Sequence, residues 1–196
     1  MAKLIYKFGS MGASKTANLL MTNYNYKTQG FGTLILKPEI DTRTHQVFSR
    51  IGIEHECLSF SRDQDLYSTI ERLNVHAVFI DECQFCTYEQ IEQLAHVVDD
   101  LKIYVFCYGL RTDFQSHLFE GSKRLFELAD KIEQLPSVCE CGNKSIMNER
   151  FINGRPTFEG EQIECGAEDK YITKCRKCYF EDQRKFKSET CIDKAI

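Results

Sequence analysis

The sequence predicts an α/β fold: a parallel sheet with flanking helices, followed by a small domain built around a metal ion. Short apolar runs alternate with amphipathic stretches over most of the 196 residues, as strands alternate with helices. A glycine-containing loop joins the first apolar run to the first amphipathic stretch. Four cysteines in two close pairs lie in the last third of the chain, where no long helical period is found.

Six apolar runs predict the strands of the sheet. The run HAVFIDE is apolar at consecutive rather than alternate positions, so we expect a strand that is buried on both faces at the middle of the sheet. In chain order the six runs are KLIYKFG, GTLILKP, HECLSF, HAVFIDE, KIYVFCYGL and DKIEQL.

Four amphipathic stretches predict helices over residues 15–25, 64–73, 87–99 and 117–129. In the third stretch, apolar residues recur at the spacing of one helix face: Ile91, Leu94, Ala95 and Val98. The pattern ends near Pro136. We therefore divide the chain into a nucleotide-binding α/β domain (1–136), a small metal-binding domain (137–180) and a charged tail (181–196) that we expect to be poorly ordered.

The octet GSMGASKT predicts a phosphate-binding loop, because it lies between an apolar strand and a helix. Backbone N–H groups and the helix dipole would bind phosphate, Lys15 would reach the β and γ oxygens, and the Thr16 hydroxyl would ligate Mg²⁺. A simple helix start capped by Ser14 is the alternative. The candidate ATP- and phosphate-binding residues are Gly9, Ser10, Met11, Gly12, Ala13, Ser14, Lys15 and Thr16.

Two carboxylates end the run HAVFIDE, at the end of a strand where ligands bind in α/β sheets. Asp81 could hold the magnesium ion, directly or through water, which together with the loop indicates a P-loop (RecA-like) sheet. Glu82 could be a general base that takes a proton from a hydroxyl or from water. It could equally point to solvent or cap the next helix, and the sequence leaves the nucleophile open.

Two cysteine pairs, C-x-C and C-x-x-C, predict a structural zinc site. Four thiolates match the tetrahedral coordination of Zn²⁺ and leave no open position for an activated water. These ligands are Cys139, Cys141, Cys175 and Cys178. A further C-x-x-C, formed by Cys83 and Cys86, has no partner pair, so we expect two buried small residues there.

Composition argues against two classes of partner. The net charge of −4 and the pI near 5.8 do not fit a protein that binds a nucleic-acid backbone through bulk charge. The sequence has neither a long apolar signal region nor about 18 consecutive apolar residues to span a membrane. We expect a protein without nucleic-acid or membrane partners, located in the cytoplasm.

Four motifs, in their order and spacing, resemble the type II thymidine kinases, the zinc-containing cytosolic enzymes of nucleotide salvage. The motifs are GSMGASKT, DECQF, YGLRTDF and DKYITKCRKC, and the resemblance extends from about Leu4 to Tyr179. It implies transfer of a phosphoryl group from ATP to the 5′-hydroxyl of thymidine, and of deoxyuridine. It also implies Mg²⁺ and structural Zn²⁺ as cofactors, a homotetramer, and feedback inhibition by thymidine triphosphate.

The resemblance also assigns roles to residues. Glu82 matches the base for the 5′-hydroxyl, Arg43 a charge stabiliser near the phosphates, and Gln84 a residue near the nucleotide; Arg111 is a further cationic candidate. The metal-binding domain matches one that carries a loop, called a lasso, which closes over the base. The implied substrate-binding residues are Met11, Phe85, Leu110, Phe114, Phe119, Tyr171 and, in the lasso, Gln162, Ile163, Glu164, Cys165 and Gly166.

Two motifs depart from the family pattern, and two other functions fit some of the motifs. Ser14 replaces the glycine common before the lysine and fits if its φ is negative, and Glu164-Cys165-Gly166 replaces the usual apolar residue followed by two glycines in the lasso. A P-loop ATPase would use Glu82 to activate water and the zinc to support an interaction surface. A zinc-ribbon binding module with a degenerate phosphate loop is the other alternative.

Overall fold

The computed structural model describes residues 1–39, 46–48, 54–162 and 170–193. No helix in these ranges is long and apolar enough to cross a membrane. The elements in chain order are β1 (Leu4–Phe8), α1 (Lys15–Thr28), β2 (Thr33–Pro38), β3 (Gln46–Phe48), β4 (Glu54–Glu56), β5 (Leu58–Phe60), α2 (Leu66–Glu71), β6 (Ala77–Ile80), α3 (Tyr88–Leu101), β7 (Tyr104–Gly109), α4 (Glu120–Leu128), β8 (Lys131–Gln134), β9 (Met147–Ile152), β10 (Arg155–Thr157), β11 (Lys170–Lys174) and α5 (Arg176–Asp193).

Contacts between residues divide the chain into two compact units. Unit 1 consists of Met1–Phe8, Ser14–Arg111 and Phe119–Leu135, whereas unit 2 consists of Gly9–Ala13, Thr112–Leu118 and Pro136–Ile196. The first half of the predicted phosphate loop (Gly9–Ala13) therefore belongs to unit 2, and its second half (Ser14, Lys15 and Thr16) belongs to unit 1.

A six-stranded sheet in the order β5-β2-β6-β7-β1-β8 forms the centre of unit 1. Every described pairing in this sheet is parallel. Each of the six apolar runs contributes one strand, so the predicted parallel α/β sheet is confirmed. The run HECLSF contributes β5, and its first residues belong to β4, which pairs with β3 in a separate hairpin.

Both faces of the sheet are buried, which explains the consecutive apolar residues of β6. Val78 and Ile80 pack in one cluster with residues of α2, α3 and α4. Ala77 and Phe79 point the other way and pack in a second cluster with Leu19 and Leu20 of α1. Because neighbouring side chains of a strand point to opposite faces, a strand covered by helices on both sides must be apolar throughout.

The four predicted helices, α1 to α4, begin close to their predicted starts, and a local cap explains the start of α3. Thr87 caps α3, since its hydroxyl accepts the Gln90 N–H and the Gln90 side chain accepts the Thr87 N–H. Ser14 precedes α1 but makes no side-chain cap, and its φ of 54° and ψ of 33° are left-handed. The requirement for a negative φ at Ser14 is therefore not met.

Unit 2 contains a three-stranded antiparallel sheet in the order β10-β9-β11, followed by α5. Asn153 and Gly154, both with positive φ, form the two-residue turn between β9 and β10. Met147, Phe158 and Tyr179 form a small apolar core with Phe186 of α5. Because α5 continues to Asp193, the expectation of a poorly ordered tail is wrong for residues 181–193.

Unit 2 contains a buried carboxylate that makes no hydrogen bond to the described residues. Glu149 on β9 is completely buried, and neither of its carboxylate oxygens has a hydrogen-bond partner among the described residues. The Lys174 amine lies 3.8 Å away but is closer to the carboxylates of Glu140 and Asp182. Burial, assisted by repulsion from Asp182, raises the pKa of Glu149 from 4.5 to about 7.

We predict that Ser14→Gly raises the free energy of unfolding by roughly 1 kcal/mol, because glycine adopts a left-handed backbone without the steric penalty of Cβ. Chemical denaturation measures the change. Ala13→Gly is the matched control: it adds the same backbone freedom at a neighbouring residue whose φ is not positive, and should not stabilise the protein. Equal effects of the two substitutions would contradict the prediction.

We predict that Glu149→Gln stabilises the protein at about pH 8 and has little effect near pH 5. Between pH 4.5 and about 7 the folded chain holds the Glu149 proton more tightly than the unfolded chain, so stability falls as pH rises through this window. Glutamine has no charge to bury. Melting temperatures at both pH values measure the effect, with the exposed Glu159→Gln as control. A pH-independent change would rule out the ionisation of Glu149 as the cause.

Candidate active site

The second half of the phosphate loop lies beside the carboxylate that ends β6. The Thr16 hydroxyl donates a hydrogen bond to Asp81 Oδ2 over 3.1 Å. Asp81 and Lys15 are both buried, and Asp81 Oδ1 has no hydrogen-bond partner in the described part of the chain. A hydroxyl and a carboxylate in contact are the two protein ligands that P-loop proteins offer to Mg²⁺. The unpartnered oxygen leaves one acceptor available to a cation.

Electrostatics at Asp81 also favour a cation. Burial raises the pKa of Asp81 to about 7, and the Glu82 carboxylate adds to the rise. The hydrogen bond from Thr16 and the charge of Lys15 act in the opposite direction. Two adjacent carboxylates in a buried place repel each other, and positive charge near them relieves that repulsion.

Glu82 follows Asp81 in a left-handed conformation, with φ 52° and ψ 39°. A non-glycine residue in this region costs about 1 kcal/mol or more and is frequent at functional sites. Gln84 holds the carboxylate: its amide nitrogen donates to Glu82 Oε2 over 2.6 Å, and its amide oxygen accepts the Leu110 N–H over 2.9 Å. The side chain of Glu82 is therefore oriented by a buried amide.

Gly109 makes this arrangement possible. A Cβ at Gly109 would lie 2.5 Å from Gln84 Oε1 and 2.6 Å from Cys83 Sγ, which is too close for either atom. Both contacts are with buried side chains that cannot move aside. Glycine therefore ends β7 because Gln84 approaches the backbone there.

Three predicted substrate-binding residues lie in unit 1. The rings of Phe85 and Phe119 meet edge to face, with centroids 5.7 Å apart. Leu110 is buried, and its carbonyl accepts the Tyr6 and Ser122 hydroxyls while its N–H binds Gln84. Phe119 also stands at the N-terminal end of α4.

The first half of the phosphate loop is held within unit 2. The Ala13 N–H donates to the Ser10 carbonyl over 3.1 Å, which closes a turn around Gly12. The Met11 N–H donates to the side-chain oxygen of Asn148 on β9 over 2.7 Å. Sequence reasoning missed Asn148, because a lone asparagine in the stretch SIMNERF carries no motif.

The other predicted substrate-binding residues that the structure describes belong to unit 2. Phe114 is buried, with the Arg150 guanidinium 5.1 Å from its ring centroid. Tyr171 lies on β11 opposite Arg150. The Gln162 amide donates to Asp113 Oδ2 over 2.8 Å, so the described start of the lasso is attached to the loop after β7. Arg43 and residues 163–166 lie outside the described residues.

The four predicted zinc ligands come together in unit 2. The sulfur atoms of Cys139, Cys141, Cys175 and Cys178 all lie within 4.8 Å of one another, and those of Cys141 and Cys175 are 3.6 Å apart. Zinc–sulfur bonds of about 2.3 Å in a tetrahedron place the sulfurs about 3.8 Å apart, so the cluster fits Zn²⁺. Hydrogen bonds from Asn143 lower the pKa of Cys141 to about 6, which favours the thiolate that binds metal.

The second C-x-x-C pair is structural, as predicted. Cys83 and Cys86 are buried in the larger apolar cluster of unit 1 together with Cys107. Burial raises the pKa of both Cys83 and Cys86, so their thiols stay protonated and poorly nucleophilic.

Comparison with known proteins identifies the family. The sequence profile of the family described as Thymidine kinase matches residues 2–179. The thymidine kinase of Streptococcus agalactiae serotype Ia is 44% identical over 185 residues, covering 92% of this chain and 98% of the relative. The thymidine kinase of Zymomonas mobilis is 45% identical over 188 residues, covering 92% of this chain and 97% of the relative. The thymidine kinase of Enterobacteria phage T4 is 44% identical over 192 residues, covering 94% of this chain and 99% of the relative. The chain belongs to the thymidine kinase family.

Proposed function

We propose that this chain transfers the γ-phosphoryl group of ATP to the 5′-hydroxyl of thymidine, and of deoxyuridine, giving the nucleoside monophosphate and ADP. The observation that carries the proposal is the contact of the Thr16 hydroxyl with the Asp81 carboxylate, followed directly by the oriented carboxylate of Glu82. Family membership supports ATP and thymidine as the substrates. The alternative of an ATPase is not favoured, because residues 2–179 match the thymidine kinase family.

The phosphate loop, in this proposal, binds ATP through its backbone N–H groups and through Lys15. Thr16 and Asp81 would hold Mg²⁺, which neutralises charge on the phosphate oxygens when bound. The partnerless oxygen of Asp81 and its raised pKa both support a cation there. Arg43 is proposed as an additional positive charge near the phosphates.

Glu82 is proposed as the general base. The 5′-oxygen of thymidine forms a bond to the γ-phosphorus while the bond from that phosphorus to the β,γ-bridging oxygen breaks, releasing ADP. The proton of the 5′-hydroxyl passes to the Glu82 carboxylate. The bond from Gln84 supports this role, because it fixes one carboxylate oxygen and leaves the other for the substrate. Gln84 is thus a positioning residue, and its assignment to ATP binding stays a prediction.

Thymidine recognition is proposed to combine apolar side chains with the lasso backbone. Met11, Phe85, Leu110, Phe114 and Phe119 would contact the pyrimidine, with Tyr171 beside it and residues 162–166 bonded to its polar edge. In unit 1, the edge-to-face pair of Phe85 and Phe119 supports an apolar contribution to binding, and in unit 2 the buried ring of Phe114 does the same. Backbone recognition in a slot sized for one ring would admit thymine and uracil deoxynucleosides and would exclude purines.

Structural Zn²⁺ is proposed at the four cysteines, supported by their sulfur atoms lying within 4.8 Å of one another. Its contribution would be to stabilise a unit whose apolar core is small. A homotetramer, inhibition by thymidine triphosphate and a cytoplasmic location are proposed from the family resemblance.

The proposed function is tested by measuring ADP release from ATP and Mg²⁺ with and without thymidine. We expect ADP release to depend on thymidine and thymidine monophosphate to form in equal amount. Release of ADP at the same rate without a nucleoside would identify an ATPase instead, and no release under either condition would favour a binding module.

We predict that Glu82→Gln lowers kcat by about 10²- to 10⁴-fold and leaves the Kd of ATP nearly unchanged, because glutamine cannot accept the proton. Glutamine can still accept the hydrogen bond from Gln84. Steady-state kinetics and calorimetric ATP binding give the two quantities. As control, Glu89→Gln changes an exposed carboxylate outside the proposed site and should leave kcat unchanged. Near-normal turnover of Glu82→Gln would rule out the role of base.

A further inference from the structure

A single buried amide connects the first half of the phosphate loop to the paired strands β9 and β11 of unit 2. Asn148 is only 2% exposed. Its oxygen accepts the Met11 N–H over 2.7 Å, and its nitrogen donates to the Thr112 carbonyl over 3.2 Å. Both partners are backbone groups, so the amide holds the main chain of two loops at once.

Three hydroxyl groups make a second connection between the same segments. Thr173 Oγ1 lies 2.7 Å from Ser10 Oγ and 2.8 Å from Ser145 Oγ, and the two serine oxygens are 3.1 Å apart. We call these three groups the hydroxyl triangle. Since each hydroxyl can donate one hydrogen bond and accept others, all three sides of the triangle can be hydrogen bonds.

Both connections start from the same position in the paired strands β9 and β11. Asn148 and Thr173 face each other across β9 and β11. Thr173 is two residues before Cys175, one of the four clustered cysteines. Asn148 reaches the backbone of Met11, and the hydroxyl triangle reaches the side chain of the preceding Ser10. Two consecutive loop residues, Ser10 and Met11, are therefore held by neighbouring groups of these two strands.

Holding Ser10 and Met11 in one conformation would favour phosphate binding by the loop. A loop that binds phosphate through backbone N–H groups depends on the direction of each peptide plane, and a loop already in the bound conformation avoids the cost of ordering. The bond from Met11 to Asn148 determines the orientation of the peptide between Ser10 and Met11. A buried backbone N–H or carbonyl that loses its hydrogen-bond partner also costs free energy.

We propose that Asn148 and the hydroxyl triangle are positioning groups for nucleotide binding: they hold Ser10 and Met11 in the conformation in which the phosphate loop receives ATP. This inference rests on the proposed function of Gly9–Ala13 as part of that loop. It assigns the paired strands β9 and β11, which the clustered cysteines precede and follow in the chain, a role in binding the phosphoryl donor. This role is in addition to the one proposed for the lasso in binding the nucleoside.

The test measures the Kd of a non-hydrolysable ATP analogue with Mg²⁺, by calorimetry, on the full chain without thymidine. We expect Asn148→Ala to weaken binding about tenfold, which corresponds to about 1.4 kcal/mol. Thr173→Val, which removes the hydroxyl at constant shape, should weaken binding about threefold, whereas Thr173→Ser retains the hydroxyl and should bind within about twofold of the unchanged protein.

Tyr179→Phe is the matched control for stability. It removes a buried hydrogen bond of the same unit, from the Tyr179 hydroxyl to the Phe114 carbonyl over 2.6 Å, that does not involve the phosphate loop. We expect a lower melting temperature with nucleotide affinity within about twofold of the unchanged protein. If Asn148 had a purely structural role, Asn148→Ala would likewise lower the melting temperature and leave nucleotide affinity unchanged. That outcome would overturn the inference.

Lys15→Ala separates this inference from the proposed function. If Lys15→Ala weakens nucleotide binding while Asn148→Ala and Thr173→Val do not, the inference fails and the phosphate loop assignment stands. If Lys15→Ala binds normally, the phosphate loop assignment itself fails. Should Asn148→Ala not fold, the pair Thr173→Val and Thr173→Ser decides, because the two variants differ in whether the hydroxyl is retained; equal affinities would overturn the inference.

Discussion

The parallel direction of all six strands in the sheet of unit 1 is the constraint on which the candidate site depends. Parallel strands place all their carboxyl ends at one edge, so the segments after β1, β6 and β7 start from the same side. This explains how Thr16, which follows β1, meets Asp81, which follows β6, although 65 positions separate them and β7 lies between the two strands. The same edge brings Leu110, after β7, to Gln84.

Two of the five described non-glycine residues with positive φ lie at the same edge. Ser14 and Glu82 are both left-handed without being glycine, and each stands where a strand-to-helix connection turns beside a candidate ligand group. The cost of about 1 kcal/mol for each is small compared with the gain from the buried sheet that imposes it. At Glu82 the strained backbone is accompanied by a buried amide that orients the carboxylate, which is the arrangement that a general base requires.

Unit 2 depends on polar interactions more than unit 1. Its apolar core consists of a few side chains, while Glu149, Arg150, Asn148 and Lys174 are all buried. Buried polar groups favour one conformation because few others satisfy their hydrogen bonds, but they contribute little net stability. A zinc ion at the four cysteines would supply the missing stability, and Asn148 and the hydroxyl triangle would extend the resulting order to the phosphate loop.

Local sequence pattern was sufficient for the sheet, the helix starts, the sulfur cluster and the acidic strand end, because strand burial, helix capping and short metal-binding motifs depend on residues close together in the chain. It was not sufficient for the left-handed φ of Ser14, the helix through residues 181–193, or the bonds of Gln84 and Asn148. These depend on partners that are distant in sequence, such as Leu110 for Gln84 and Met11 for Asn148. The sequence by itself therefore determined which chemical groups the protein carries, and the tertiary structure decided which of them are oriented, since orientation comes from long-range hydrogen bonds that no local pattern encodes.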